Sequence, residues 1–402
     1  MNHRSRRTAA AAFAVAAAGT MAPFASAADA APTSDAKHVY VVEVAGASRA
    51  AVSTRSAERA EAVRSTFEVT PRRTFRSAMS GFSASMTPQQ AAALEQRSDV
   101  VRVVRSDFRA NVIGTPPKRD SQRKAAAGAT WGLDRIDQRQ LPLNSAYSTT
   151  SKGAGVTAYV IDTGVNAAHP DFGGRATQKV NFAGDGLNKD CNGHGTHVGG
   201  TVGSTTYGVA KAAKIVGVKA FTCAGDTSLE ILLSSLDWVT ENAQKPAVVN
   251  TSWQFEDPDG VLKAATERMN AAGITHATAS GNSGGDNCST APRHSELPIV
   301  VGNSTKTDDR NAFSSTGACV DVYAPGTDIT SLDYDGAGTA PRTGTSMASP
   351  HVAGVAALYL EKNPNATPAQ VKQWIEDTAT PDVVNGGGTG GTVNRLLFTG
   401  GL

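Results

Sequence analysis

Long apolar runs are missing from this chain. Beyond residue 30 no stretch reaches the roughly 18 apolar residues that a membrane-spanning helix needs, so no membrane anchor is expected. Cysteine is absent before Cys191, and the only others are Cys223, Cys288 and Cys319. Positive charge is short in the part of the chain that carries these cysteines. Residues 128–402 hold 19 Lys and Arg against 26 Asp and Glu, a net of −7; residues 1–127 hold 19 against 10, a net of +9, and the two give the +2 of the whole chain. An acidic body repels phosphate, which excludes nucleic acid as a partner. A basic segment beside an acidic body suggests instead two units that attract one another. Aromatic residues are scarce at 6%, but 40% apolar and 18% charged residues over 402 positions describe a globular chain with room for more than one domain.

The first feature present is an export signal. Arg4, Arg6 and Arg7 precede an apolar run from Thr8 to Ala18, and Ala25-Ser26-Ala27 offers a small-residue cleavage site. Residues 1–30 therefore read as a secretory signal peptide and the product as secreted, with the Arg6-Arg7 pair leaving twin-arginine export open. In an exported protein four cysteines point to two disulfides. Three pairings are possible, and pairing neighbours in order closes loops of 32 and 31 residues, each worth about 3–4 kcal/mol in a chain-entropy account.

Residues 31–112 carry the signals of strand (38–44), helix (53–67), a bent or double strand about Ser80-Gly81 (73–85), helix (88–96, opened by Thr87-Pro88) and strand (100–105). That order predicts a small α+β domain of the split βαβ, ferredoxin-like kind. Residues 113–128, rich in Pro, Lys, Ala and Gly, have no period and read as a linker and a natural cleavage zone. From Trp131 onward, apolar strands at 155–161, 213–220, 247–250, 274–279, 298–301 and 320–323 alternate with helices at 228–242, 260–272, 349–360 and 368–378. Such a pattern over residues 129–402 predicts an α/β domain, a mostly parallel sheet with helices on both faces. Ligands of these sheets bind beyond the C-terminal ends of the strands.

Three chemically complementary residues lie at such ends. Asp162 directly follows the strand in YVIDTGV, with Thr163-Gly164 turning the chain behind it. His194 and His197 lie in NGHGTHVGG, spaced i,i+3 without the glutamate of H-E-x-x-H, which argues against zinc. His194 meets the turn first, flanked by Gly193 and Gly195 that let its ring swing toward the cleft, while His197 reads as a packed histidine. In TGTSMASPHVAG, at 343–354, a loop of small residues enters an apolar helix, and Ser346 at its mouth is either a helix cap or a nucleophile. Acyl transfer wants a hydroxyl beside an imidazole whose far nitrogen is held by a carboxylate. Asp162, His194 and Ser346 supply one of each. Asn282, in ASGNSGG, follows another strand and offers an amide for the oxyanion. The same segment formally fits the G-x-S-x-G nucleophile elbow at Ser283, but its small polar surroundings build no strand-to-helix turn.

Together YVIDTGV, NGHGTHVGGTVG, ASGN and GTSMASPHVAG resemble the subtilisin family of serine proteases, and within it the proteinase K-like secreted branch, most similar to aqualysin-type enzymes. WGLDRIDQ at 131–138 and NRLLF at 394–398 extend the resemblance over nearly all of 131–402. It implies a serine endopeptidase acting on protein and peptide substrates, with Asp162, His194 and Ser346 as triad, Asn282 as oxyanion donor and no cofactor for catalysis. It implies that residues 31–112 are an inhibitory propeptide that assists folding and is removed autocatalytically at 113–128, leaving a monomeric body. It further implies disulfides Cys191–Cys223 and Cys288–Cys319, and a structural calcium held by the Asp321 carboxylate and carbonyls near Glu296 and Pro298. The substrate cleft is implied along Ser252, Trp253 and Gln254 on one wall and Ala279, Ser280 and Gly281 on the other. Here the chain departs from the family, with Trp253-Gln254-Phe255 in place of Leu-Gly-Gly and Ser280 in place of alanine. Side chains at Gln254 and Phe255 are expected to project over the cleft and narrow its pockets. A catalytically silent relative kept as a binding protein is the competing reading, and the intact set of four residues argues against it.

Overall fold

The computed structural model describes residues 36–45, 47–48, 51–52, 54–107, 110–111 and 128–402. The signal peptide expected at 1–30 and, apart from Gly128, the linker expected at 113–128 lie outside the described residues.

The N-terminal unit is built from β1 (His38–Val44), α1 (Thr54–Thr66), β2 (Pro71–Phe75), β3 (Gly81–Met86), α2 (Pro88–Glu95) and β4 (Val100–Arg105). Its strands pair antiparallel in the order β2-β3-β1-β4. Thr87 and Gln90 close a reciprocal capping box that starts α2. Alternation sorts β1 between two faces: Val42 and Val44 join Phe82, Met86 and Leu94 in the unit's own core, whereas Val41 points at the body. A further short strand, β5 (Ala110–Asn111), leaves this unit to pair antiparallel with the body.

The body's strands are β6 (Thr157–Asp162), β7 (Ala176–Asn181), β8 (Lys214–Lys219), β9 (Asp226–Thr227), β10 (Ala247–Thr251), β11 (Thr275–Ala279), β12 (Ile299–Ser304), β13 (Val322–Pro325), the hairpin β14 (Ile329–Leu332) and β15 (Thr339–Arg342), and β16 (Thr380–Pro381) and β17 (Arg395–Leu396). Nine of them form one sheet in the order β16-β17-β13-β12-β11-β10-β6-β8-β7, parallel except for β16. α3 (His194–Gly203) and α6 (Thr345–Lys362) cover one face; α4 (Leu229–Asn242) and α5 (Val261–Ala271) cover the other. All six residues of β6 are buried, with Ala158 and Val160 toward α3 and α6, and Tyr159 and Ile161 toward α4 and α5. Double burial explains why β6 reads as a continuous apolar run.

α6 begins at Thr345, four residues before the expected start at 349, and carries Pro350 inside it. Proline has no N–H for the Ser346 carbonyl one turn back. Ser252 Oγ supplies the missing donor at 3.0 Å, so the helix survives its proline.

The N-terminal unit docks on α4 and α5. Val41, Phe75, Ala78 and Met79 enter the same apolar cluster as Leu232, Leu236 and Leu262. Asp237 of α4 accepts backbone N–H groups from Ser77 and Ala78 at 2.7 Å and from Arg76 at 3.1 Å. Glu230 accepts from Ser83 Oγ at 2.5 Å and pairs with Arg72, and Glu43 pairs with Arg268 of α5 at 2.7 Å. Carboxylates from both units thus meet cations or amides of the other at one surface; of these two ion pairs, Arg72–Glu230 has the polarity of the net charges and Glu43–Arg268 the reverse.

One expectation is corrected here. Lys372, on α7 (Pro368–Thr378), donates through Nζ to the carbonyls of Glu296 at 2.9 Å and Pro298 at 3.1 Å and pairs with Asp321 Oδ2 at 3.0 Å. These are the three oxygen donors expected to hold calcium. An ammonium standing among them supplies the positive charge itself, and a divalent ion wanting six to eight oxygens does not fit beside it. Burial pushes the Asp321 carboxyl up to about 6, with Lys372 pulling against it.

Two measurements check this description. Replacing Asp237→Ala strands the amides it collects, and we expect hydrogen exchange at Arg76, Ser77 and Ala78 in the full chain to speed up roughly 10- to 100-fold while β6 stays protected. Lys372→Met is expected to lower the thermal midpoint by about 4–8 °C, whereas a chelator leaves the contribution of the Lys372–Asp321 pair intact. A chelator sensitivity that disappears in Asp321→Asn would show an ion bound there instead.

Candidate active site

The strand order reverses at β6. The chain first builds β7 and β8 on one side of it, then returns to lay down β10 to β13 on the other. The crevice at such a reversal, beyond the carboxyl ends, is where open α/β sheets bind ligands. Asp162 ends β6 at that crevice, fully buried, and its Oδ1 accepts the Thr163 N–H at 2.7 Å and contacts His194 Nδ1 at 2.8 Å. Oδ2 has no hydrogen-bond partner among the described residues.

His194 is the first residue of α3. Gly193 caps that helix at φ +95°, and a Cβ there would collide with Tyr334 and Arg342. Gly195 lies so close to the Gly164 carbonyl that a Cβ would stand 2.1 Å from it. Both glycines set how closely the helix approaches Asp162, a different task from the swinging ring expected of them. The turn itself is gathered by Asp190, whose carboxylate accepts the N–H groups of Asn192, Gly193 and Thr196 at 2.9 Å each, and the Thr163 hydroxyl at 3.0 Å. Asp190 was missed in the sequence, although an acid just before a helix start is the signal that marks it. His197 is fully buried, its Nε2 between the carbonyls of Ile329 at 2.9 Å and Ala340 at 3.0 Å. Burial and the nearby Arg342 hold it well below the usual imidazole range, so it is a neutral tie to the β14–β15 hairpin.

Ser346 is in the first turn of α6, behind an N-cap at Gly344, so its hydroxyl is not the cap. Oγ donates to the Ser252 carbonyl at 3.1 Å, and among the described residues no hydrogen bond joins it to His194. The turn is fixed by a relay: Ser349 Oγ donates to Asn250 at 2.7 Å, Asn250 Nδ2 to Ser252 Oγ at 2.9 Å, and that hydroxyl to the Ser346 carbonyl. Asn282 Oδ1 accepts from Thr345 N at 2.9 Å and Thr345 Oγ1 at 3.0 Å, which leaves its amide N–H groups facing away from Thr345. The Ser283 hydroxyl is spent on Ser315 at 2.9 Å.

A pocket of about 190 Å³ opens beside these groups, lined by Ser252, Gln254, Gly281, Asn282, Arg293 and Ser346 among others. A larger hollow of about 550 Å³, between α6 and α7 around Tyr359 and Trp374, holds none of them. Of the expected cleft residues, Ser252, Trp253, Gln254, Ala279 and Gly281 line the pocket and Ser280 does not. The Ser280 hydroxyl turns away to the Ser315 carbonyl at 3.1 Å. Phe255 does not overhang the cleft, since it is buried in the core behind α4 and α5 and pairs its backbone with Ala291. The Trp253 ring is buried too, with Nε1 donating to Ile161 at 3.1 Å. Of the two side chains expected to project over the cleft, Gln254 alone reaches the pocket, its Oε1 accepting from Asn287 at 2.6 Å. Arg293 was not anticipated at all.

Disulfides join Cys191 to Cys223 and Cys288 to Cys319. Asp185 lies close enough to the first pair to suggest a three-ligand metal site, but both sulfurs are in the bridge and neither is a thiolate. No helix among the described residues is long and apolar enough to cross a membrane.

The comparisons with known proteins divide the chain in the same places. Residues 35–110 match the family of peptidase inhibitor I9, and residues 153–397 match the subtilase family. The chain is 44% identical over 330 residues to the alkaline serine exoprotease A of Vibrio alginolyticus, an alignment covering 81% of this chain and 59% of that protein. It is 42% identical over 329 residues to an extracellular serine proteinase of a Thermus species, covering 81% and 77%. Among solved structures, that of a cold-adapted subtilisin-like serine proteinase superposes with a TM-score of 0.65 at 45% identity, covering 68% of this chain and 99% of that one. The chain belongs to the subtilase family, the subtilisin-like serine endopeptidases.

Proposed function

We propose that this protein is a secreted serine endopeptidase of the proteinase K-like branch, most similar to aqualysin-type enzymes, made as a precursor that processes itself. The observation that carries the reading is the buried Asp162–His194 hydrogen bond at 2.8 Å, set at the strand-order reversal next to a pocket lined by Ser346 and Asn282. In the proposed reaction Ser346 Oγ releases the Ser252 carbonyl, attacks the peptide carbon and passes its proton to His194 Nε2. Asp162 holds the ring through Nδ1 and stabilises the imidazolium. The oxyanion faces the Asn282 amide and the Ser346 N–H at the start of α6, groups without a hydrogen-bond partner among the described residues. His194 then protonates the leaving amine, and water releases the acyl group from Ser346 by the same path in reverse.

Residues 1–30 serve export in this reading, residues 31–112 form a ferredoxin-like inhibitory domain, 113–128 hold the maturation cleavage, and 129–402 act as a monomeric enzyme without a catalytic cofactor. The inhibitory role is supported by β5, which pairs Ala110 and Asn111 antiparallel with Thr227 and Asp226 as an added edge strand, the way extended peptides are held. The turn leading into β9 adjoins the site through Asn192, whose side chain donates to the Cys223 carbonyl at 3.0 Å.

Expressing the chain beside its Ser346→Ala variant tests the proposal. The unaltered chain is expected to yield a body starting within 113–128, and the variant to stay whole; an unprocessed, inactive unaltered chain would favour the silent binding protein. Asn282→Ala is expected to lower kcat by about 100- to 1,000-fold with little change in KM.

A further inference from the structure

The pocket beside Ser346 contains a charge that the reaction does not use. Arg293 is 2% exposed, yet its side chain lines that pocket together with Asn282 and Ser346. Two of its three nitrogens are spoken for: Nε donates to the Ala279 carbonyl at 2.7 Å, and Nη1 donates to Thr290 Oγ1. Nη2 has no hydrogen-bond partner among the described residues, and none of their carboxylates forms an ion pair with the guanidinium. Burial pushes Arg293 down to about 9, opposed only by Glu256, and it remains a cation at neutral pH. The facing wall is polar as well. Gln254 turns its Oε1 to Asn287 at 2.6 Å, which leaves the Nε2 donors of that amide unengaged among the described residues.

A buried cation that no carboxylate touches is costly to keep, and the cost is relieved when an anion enters. The peptide carbonyl attacked by Ser346 must turn its oxygen to Asn282, so the side chain of that same residue enters the pocket these two groups line. An apolar side chain would seal Arg293 from water with no partner, and a basic one would meet a like charge. We propose that Arg293 makes this pocket a receptor for an acidic side chain, so that the enzyme cleaves after glutamate or aspartate. The proposal deepens the endopeptidase reading above and rests on it.

A series of peptide amides that differ only in the residue before the scissile bond, Glu, Asp, Gln, Phe or Lys, tests it on the matured enzyme. The expected kcat/KM for Glu exceeds that for Gln, its uncharged isostere, by about 10- to 100-fold, with Lys the poorest. Arg293→Met should bring the Glu-to-Gln ratio close to unity and raise cleavage after Phe. Arg293→Lys, which keeps the charge, should retain part of the preference. If Arg293→Met does not fold, the unaltered enzyme and Arg293→Lys still decide the matter. Cleavage after Phe or Lys as efficient as after Glu, or an unchanged Glu-to-Gln ratio in a folded Arg293→Met, overturns the acidic pocket and leaves the endopeptidase standing. Failure to cut any peptide or protein overturns the endopeptidase reading and this one with it.

Discussion

The reversal of strand order at β6 is the constraint on which the site depends. A parallel strand buried on both faces ends where its neighbours' connections run off in opposite directions, and that leaves a crevice no helix fills. Asp162 stands at this end with no exposure to water, so its charge is tolerable only if donors surround it. Thr163 N–H and the His194 ring are those donors, which makes the orientation of the imidazole a consequence of solvating the carboxylate. Gly195 is required by the same logic, because the helix carrying His194 must come within contact of the loop behind Asp162.

Much of this was legible in the sequence, for a physical reason. Asp162 and Asn282 come at the ends of apolar strands, His194 and Ser346 at the mouths of helices, and all four sit among glycines or small residues, so their type and their place at element ends are written locally. Direction was not written locally. Trp253 and Phe255 follow the end of β10, where the period-2 alternation of the strand no longer applies, and both turn inward to the core beneath α4 and α5. The early start of α6 was hidden for a similar reason: the hydroxyl that repairs the bond lost at Pro350 comes from Ser252, just past the end of β10 and far from α6 in sequence. The calcium expected at Asp321 failed because the cation occupying that place belongs to Lys372, beyond the sheet on the last long helix.

Lys372 and Arg293 show how one kind of side chain is put to two uses. Each brings a positive charge inside the fold and each donates to backbone carbonyls. Lys372 also meets a carboxylate, so its charge is balanced within the chain and its effect is to fasten α7 to the sheet. Arg293 meets none among the described residues, and it faces a cavity. A balanced buried charge acts on stability; an unbalanced one at the edge of a cavity acts on whatever enters.

The carboxylates follow a rule of their own. Asp190 collects the N–H groups of Asn192, Gly193 and Thr196, Asp237 those of Arg76, Ser77 and Ala78, and Glu361 those of Lys152, Gly153 and Ala154. In each case a turn whose amides cannot bond to one another is closed by a single anion, and charge-assisted bonds to N–H groups are among the stronger ones available. Asp190 does this within a few residues, whereas Asp237 and Glu361 reach across about 160 and 210 residues of sequence. The excess of acid in the body therefore has a structural use beyond repelling or attracting partners at long range. At α4 the same device that shapes a turn also holds the N-terminal unit on the body, so docking there depends on amides that only a folded β2–β3 turn presents.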